Sequence, residues 1–229
     1  MIMYKYETHA HTSEISLCGK ISAADLVRFY KQQGYKGIFI TDHFITGNTT
    51  VPKDLPWKTR IDMYCKGFEN AYAEGKRIGI DVFFGWEHSF QGTDFLTYGL
   101  DKEWLYEHPE LEAADLNTYS DIVRASGGFV VHAHPFREAG YISMIRLLPR
   151  KVDAVETDNS CRTDFENFLA NQYAENYGLL KFAGSDNHRG PLPRLAGIQV
   201  AEPLKTETDP VDAIKSGKFE MFSLINDGK

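Results

Sequence analysis

The sequence predicts an α/β protein: a closed or nearly closed barrel of about seven parallel strands with helices outside it. Three observations carry this expectation. Short apolar runs alternate with amphipathic helical patterns along the whole chain, as parallel strands joined by crossover helices do. A length of 229 residues with 42% apolar content suits a single domain over residues 1–229. No glycine-rich fingerprint follows the first strand-like run, so an open doubly wound sheet is the weaker architecture.

The elements follow in order. "MYKYETH" at 3–9 reads as a strand and precedes a helix at 22–34, where Ser22 can cap the first turn and Gly34 can end the last. "GIFITDH" at 37–43 is the second strand-like run. Ile61, Tyr64, Cys65, Phe68 and Tyr72 then recur at helical spacing. "DVFFGWE" at 81–87 and "DFLTYG" at 94–99 read as strands, and a helix around 118–128 leads into "FVVHAHP" at 129–135. "VDAVETD" and "LLKFAGSD" complete the set, with an amphipathic helix at 164–178 between them. No internal repeat, low-complexity tract or long linker interrupts this order.

Bulk properties narrow the function classes. There is no apolar run of 18 residues and no charged-then-apolar leader, so neither a membrane span nor export is expected. Three widely spaced cysteines (Cys18, Cys65 and Cys161) disfavour a disulfide framework and fit a cytoplasmic setting. A formal charge of −7 disfavours binding to nucleic-acid duplexes, which rests on Lys and Arg neutralising phosphates. It leaves room for a small anionic substrate where metal ions supply local positive charge.

The metal-ligand residue types are placed unevenly. His9 and His11 end the first strand, His43 the second, Glu87 and His88 the third, and His132 and His134 the fifth; Asp186 and His188 follow the seventh. Seven of the eight histidines therefore lie at carboxyl ends of expected strands, which meet on one face of a parallel barrel. His9 and His11, two residues apart, point to one side of their strand. Any one of these is equally well a structural histidine, and His108 reads as surface. The set as a whole suits Zn²⁺, Mn²⁺ or Fe²⁺ better than Ca²⁺ or Mg²⁺, and it offers more ligands than one tetrahedral ion can use.

Five motifs in this order, "HAH" at 9–11, "TDH" at 41–43, "GWE" at 85–87, "HAHP" at 132–135 and "GSDNH" at 184–188, resemble the PHP (polymerase and histidinol phosphatase) family. The resemblance implies a distorted seven-stranded (β/α)7 TIM-like barrel and a metal-dependent phosphoesterase with two to three divalent ions, zinc foremost. It implies a first ion on His9, His11, Glu87 and Asp186, and a second on Glu87 and His134, with Asp94 where relatives often have a histidine. A third ion would use His43 and His188. Its further ligand normally comes from the loop after the first histidine pair, where Glu14 is the first choice and Cys18 the second. His132 is left as a residue that either backs the ligands or lines the pocket.

Three divalent ions among five neutral histidines and four carboxylates (Glu14, Asp94, Glu87 and Asp186) leave a formal balance of roughly +2, which attracts phosphate. Glu87, Asp186 and His188 are the expected catalytic residues, acting with a metal-activated hydroxide. Arg137, Arg189 and Lys20 are candidates for holding the phosphate's outer oxygens, and Asp42 for orienting a ligand imidazole. Glu156 and Asn159 read equally as pocket-shaping or core-edge polar residues. The expected substrate is a histidinol-phosphate-like or nucleotide-like phosphomonoester. Two alternatives stand beside it: an amidohydrolase-type hydrolase of C–N or C–O bonds, and a non-catalytic metal-binding regulatory barrel. Oligomeric state is not legible.

Overall fold

The computed structural model describes residues 2–205 and 208–225. Its strands are β1 (Tyr4–Glu7), β2 (Gly37–Ile40), β3 (Asp81–Phe90), β4 (Thr93–Tyr98), β5 (Phe129–Ala133), β6 (Ala154–Asn159), β7 (Leu180–Gly184), β8 (Arg194–Val200) and β9 (Glu220–Ile225). They form one sheet in the order β7-β6-β5-β4-β3-β2-β1-β8-β9. The main helices are α1 (Ala23–Gln32), α2 (Trp57–Tyr64), α3 (Lys66–Ile78), α4 (Lys102–Tyr106), α5 (Leu116–Ala125), α6 (Asp164–Tyr177) and α7 (Asp209–Lys215). No helix among the described residues is long and apolar enough to cross a membrane.

Two parts of the expected architecture are corrected. The sheet has nine strands, not seven: the expected seven are β1 to β7, and β8 and β9 add an antiparallel flank beyond β1. Nor is the pairing all parallel. β1, β2 and β3 pair in parallel, as do β5, β6 and β7, but β4 runs antiparallel to both β3 and β5. A tight turn through Gln91 and Gly92, both at positive φ, makes the β3–β4 hairpin possible. Because β4 runs downward, it is its first residues, including Asp94, that reach the rim where the parallel strands end.

Strand alternation separates two cores. Tyr6, Phe39, Phe83, Leu96, Phe129, Val131 and Phe182 fill the interior of the curved sheet. Phe84, Trp86, Phe95 and Val130 face outward under the helices, packed with Tyr119 of α5. Full burial of each large side chain contributes roughly 1.5–3 kcal/mol. α1 begins at Ser22 as expected, its Oγ accepting from Asp25 N–H. α6 opens with a reciprocal capping box between Thr163 and Glu166 and ends at Gly178 in the left-handed region.

The barrel is not sealed. No strand ladder joins β7 to β8; the gap is spanned instead by Ser185, whose Oγ accepts from Ala196 N–H at 3.0 Å and donates to Ala196 O at 3.2 Å. The end of β7 also presses against the chain leaving β1. A Cβ on Gly184 would stand 2.6 Å from His9 Cβ, 2.8 Å from Glu156 Oε1 and 2.9 Å from Thr8 Oγ1. Gly184→Ala is therefore expected to lower unfolding stability by about 1–3 kcal/mol, the usual cost of overpacking. Urea denaturation read by circular dichroism checks this, and a wild-type midpoint would overturn it.

Candidate metal centre

The site is assembled where strands stop pairing. The β1 ladder ends at Glu7, but the chain stays extended: Ala10 bridges Asn187, and Ala10 O accepts from Thr41 N–H at 2.9 Å. Glu7 ties this stretch to β7, its Oε1 accepting from the N–H groups of Thr8 (3.0 Å), His9 (2.9 Å) and Ser185 (2.8 Å). Burial pushes the Glu7 carboxyl up to about 7 in spite of those donors. A parallel bridge between His43 and Glu87 brings β2 to β3 in the same plane.

Around this frame the imidazoles and carboxylates converge. His9 Nε2 lies 3.4 Å from Glu87 Oε1 and 3.5 Å from Asp186 Oδ1. His11 Nε2 is 3.6 Å from Glu87 Oε2 and 3.4 Å from Asp186 Oδ1. Glu87 also meets His43 Nδ1 at 2.7 Å and His134 Nε2 at 3.1 Å, and His188 Nδ1 is 3.4 Å from Asp186 Oδ1. Three overlapping groups result: His9, Glu87 and His134; His9, His11 and Asp186; and His11, His43 and His188. Within each, the ligand atoms lie within 4.8 Å of one another.

The electrostatics show what this cluster lacks. Burial alone would depress His9, yet Glu156, Asp186 and Glu87 outweigh it and raise the imidazole well above its usual value. Burial would raise Glu87 and Asp186, yet the neighbouring imidazoles, His43 and His9 foremost for Glu87 and His9 and His11 for Asp186, hold both well below the usual carboxylate range. His11 goes the other way, depressed by burial and by His188 and His43 beside it. Protons alone cannot satisfy all members together. His9 Nε2 and His11 Nε2 are buried with no hydrogen-bond partner. Inward-aimed orphans of this kind fit divalent cations.

Two of these side chains reach the centre through backbone strain. His134 sits at φ +26° and Asp186 at φ +53°, values rare for residues other than glycine. Val131 and Ala133 face inward, so plain alternation would turn His134 outward; the left-handed kink re-aims it. His132 and His88 show the other parity. His132 packs edge-on between Phe95 and Tyr173, and His88 stacks on Tyr119 at 3.8 Å, both outside the barrel wall. Burial depresses each to about 3, so they are neutral and structural. The expectation that His132 lines the pocket is thereby corrected.

The orienting shell is partly new. His9 Nδ1 donates to Glu156 Oε1 at 2.9 Å, which leaves Nε2 facing the centre. Asp42 acts through Ser16: His11 Nδ1 is 3.2 Å from Ser16 Oγ, which donates to Asp42 Oδ1 at 2.7 Å. Glu14 is not at the centre. The loop after His11 turns it away, and both carboxylate oxygens accept from Ala23 N–H at 3.0 Å, capping α1. The second choice, Cys18, does lie beside the centre, with Sγ 3.1 Å from His43 Nε2. Burial would raise this thiol, but hydrogen bonds with His188 and His43 bring it down to about 6. Lys20 is likewise displaced: its N–H donates to His188 O at 2.7 Å, but its side chain is exposed and does not line the cavity.

Above the centre opens a cavity of about 790 Å³, within the range of small-molecule sites. His43, Glu87, His134, Asp186 and His188 form its floor, and Asp94, Arg137, Arg189 and Cys18 also line it. Arg137 Nη2 donates to Asp94 Oδ2 at 2.6 Å, and Asp94 Oδ2 is 4.0 Å from His134 Nδ1. Burial and the Glu87 charge raise the Asp94 carboxyl. Ser160, Cys161 and Arg162 on the wall were not anticipated, because nothing in "NSCR" distinguishes a pocket wall from a solvated turn.

A barrel rim carrying overlapping, buried groups of imidazoles and carboxylates is that of a metal-binding α/β barrel. The chain belongs to the PHP family: the PHP domain matches residues 7–195, a span that holds every member of the centre. Among solved structures, a two-domain protein of Bacteroides vulgatus containing a predicted PHP-like metal-dependent phosphoesterase superposes with a TM-score of 0.70 at 16% identity. The match covers 96% of this chain, which spans 65% of that one. PsfC of Pseudomonas syringae gives a TM-score of 0.64 at 17% identity, with 99% and 93% of the two chains covered. An amidohydrolase of Chromobacterium violaceum, with bound sulfate and no metal, gives 0.58 at 16% identity, covering 94% and 97%. These likenesses show a shared fold. No curated protein matches the sequence.

Two outcomes follow from the parity and the orienting shell. Glu156→Ala is expected to weaken metal affinity about 10–100-fold, as loss of an orienting partner does, measured by competition with a chelator. His132→Leu should bind as many ions as wild type in elemental analysis, whereas His134→Leu should bind fewer.

Proposed function

We propose that the protein is a metal-dependent phosphoesterase that hydrolyses a small phosphorylated molecule. The observation that carries this reading is the convergence of buried ligand atoms of His9, His11, His43 and Glu87, with His9 Nε2 and His11 Nε2 partnerless, beneath an arginine-lined cavity. Each such atom costs about 1–3 kcal/mol if nothing satisfies it. The mixed nitrogen and oxygen set suits Zn²⁺ first, with Mn²⁺ or Fe²⁺ also compatible. His9, His11, Glu87 and Asp186 would hold one ion, and Glu87, His134 and Asp94 a second. His43 and His188, with Cys18 beside them, would hold a third. Divalent ions bound there supply Lewis-acid charge and lower the pKa of water towards neutrality.

The chain's own residues do the rest. Glu87 offers one oxygen to His134 and the other to His43, so it fixes the spacing of the whole centre. His188 Nδ1 donates to the Asp186 carbonyl at 2.9 Å, which fixes the orientation of its ring. Arg137, its fork held by Asp94, and Arg189 are placed to bind the outer oxygens of a phosphate. A histidinol-phosphate-like or nucleotide-like phosphomonoester fits a cavity of this size.

The test couples elemental analysis to hydrolysis of 4-nitrophenyl phosphate with and without added Mn²⁺ or Zn²⁺. Two to three ions per chain and chelator-sensitive turnover are expected. Glu87→Ala should lose ions and lower kcat/KM by more than about 100-fold, beyond what changes in the orienting shell produce. A variant that keeps wild-type metal content and turnover would sink the reading.

A further inference from the structure

Residues 134–153 connect β5 to β6 with no helix or strand of their own. Bare connections longer than about 12–15 residues are uncommon in compact domains and usually serve a function. The stretch "AGYISMIRLLP" at 139–149 holds one charged residue, Arg146, in a chain that is 25% charged. Yet it lies on the surface: Tyr141, Met144, Ile145 and Leu147 are between 40% and 70% exposed. A contiguous run of exposed apolar side chains marks a surface that something else covers.

α6 runs beside this loop and is apolar on two faces. Ala170, Tyr173 and Ala174 are buried towards the sheet, while Phe165 and Phe168 are 67% and 55% exposed. A helix with apolar residues on more than one face is a helix with cover on more than one face. The two elements meet along a seam: Glu138 N–H donates to Glu166 Oε1 at 3.1 Å, and the Phe136 ring lies 6.3 Å from that of Tyr173. Glu166 and Tyr173, seven residues apart, share the helix face at this seam, and Phe165 and Phe168 stand on its solvent side. At roughly 150–250 Å² for a large side chain, six of them about half exposed leave about 500–700 Å² of apolar surface. That is at or above the largest patch of an ordinary monomer, about 300–600 Å². It is most of the ~800 Å² per partner that a standard interface buries.

We infer that this face is the interface of a homodimer, in which a second copy of the chain is related by a two-fold axis and the loop of each protomer lies against α6 of the other. Charge selects a second copy as well as area does. A chain of net charge −7 repels its own copy over most of its surface, whereas two apolar strips set no acid against acid. The rim is self-complementary, as a two-fold interface requires. Its loop side carries Arg146, spent only on Gln91, and the exposed Arg150, which has no ion pair among the described residues. Its helix side carries the exposed Asp164 and Glu175. A crosswise arrangement therefore sets a basic edge against an acidic one. Tyr141 belongs both to this face and to the lining of the metal cavity, so the dimer holds in place the loop that bears Arg137 and Tyr141. Pairing of this kind is independent of what the metal centre hydrolyses.

Sedimentation velocity on the full chain reads the mass directly. Wild type is expected at twice the chain mass of 26.0 kDa, with a Kd of about 1 μM or below, since interfaces of this size bind from micromolar to picomolar. Ile145→Glu on the loop and Phe168→Glu on α6 should each raise that Kd by about 100-fold or more, as loss of a central anchor does. Both positions are exposed, and a thermal melt shows that the variants fold. Met63→Glu, at an exposed apolar position on α2, which packs against α3 and α4, should leave the dimer intact. A wild-type mass of 26.0 kDa at a chain concentration of about 100 μM would overturn the dimer and leave the face to a lid over the cavity or to a different protein. A dimer that survives in both folded variants, or that Met63→Glu also breaks, would overturn the placement of the interface.

Discussion

Everything at the rim of this barrel follows from one electrostatic constraint: Glu87 and Asp186 are buried as carboxylates among imidazoles, two of which, His9 and His11, turn a partnerless nitrogen inward. A buried charge is tolerable only when it is paired and hydrogen-bonded. Protons distribute badly over the cluster, raising His9 and His43 while His11 between them is depressed. Divalent cations resolve the conflict because one ion can meet several lone pairs at once. The strand ends, the bridge between His43 and Glu87 and the kinks at His134 and Asp186 all serve to bring those lone pairs together.

That assembly has a mechanical cost, and the nearby sequence offsets it. Two ligands in the left-handed region cost on the order of 1–3 kcal/mol each. Opposing this strain are Glu7, which collects three backbone N–H groups from β1 and β7, and Glu156, whose second oxygen accepts from His134 N–H at 3.0 Å. Glu156 thus orients His9 with one oxygen and pins the strained His134 backbone with the other. A residue that reads as core-edge polarity in "VETDNS" is a hinge pin between two ligand-bearing strands.

The convergence of these imidazoles and carboxylates was legible in the sequence because side chains of metal-binding type recur at strand ends in a chain where β and α patterns alternate cleanly. Parity was harder. Glu87 and His88 are neighbours, but only Glu87 shares the inward face with Phe83; His132 faces out, whereas His134 escapes its parity through a kink that no alternation rule shows. The antiparallel course of β4 was invisible because a hairpin and a crossover leave the same strand pattern. β8 and β9 were missed because "RLAGIQV" carries Gly197, which weakens a strand signal. A Cβ on Gly197 would lie 2.2 Å from Tyr6 O, so the residue that hides the strand is the one that lets it pack on β1. Glu14 failed as a ligand for a local reason: the unsatisfied N–H at the start of α1 lies nearer to it than the centre does.

Net charge and site charge then have to be read separately. A formal charge of −7 describes a surface that disfavours polyanions. It does not describe the cavity, because the carboxylates that pair with arginines mostly lie elsewhere. Asp94 is the exception, since it neutralises an arginine inside the cavity, and it does so with the oxygen that also faces His134. The same carboxylate therefore links the Arg137 side of the cavity to the imidazole cluster. Drawing Asp94 towards a cation at His134 would loosen its grip on Arg137 and free that guanidinium for an incoming anion. On the proposed assignment cation and anion sites share one carboxylate, so filling the first would prepare the second.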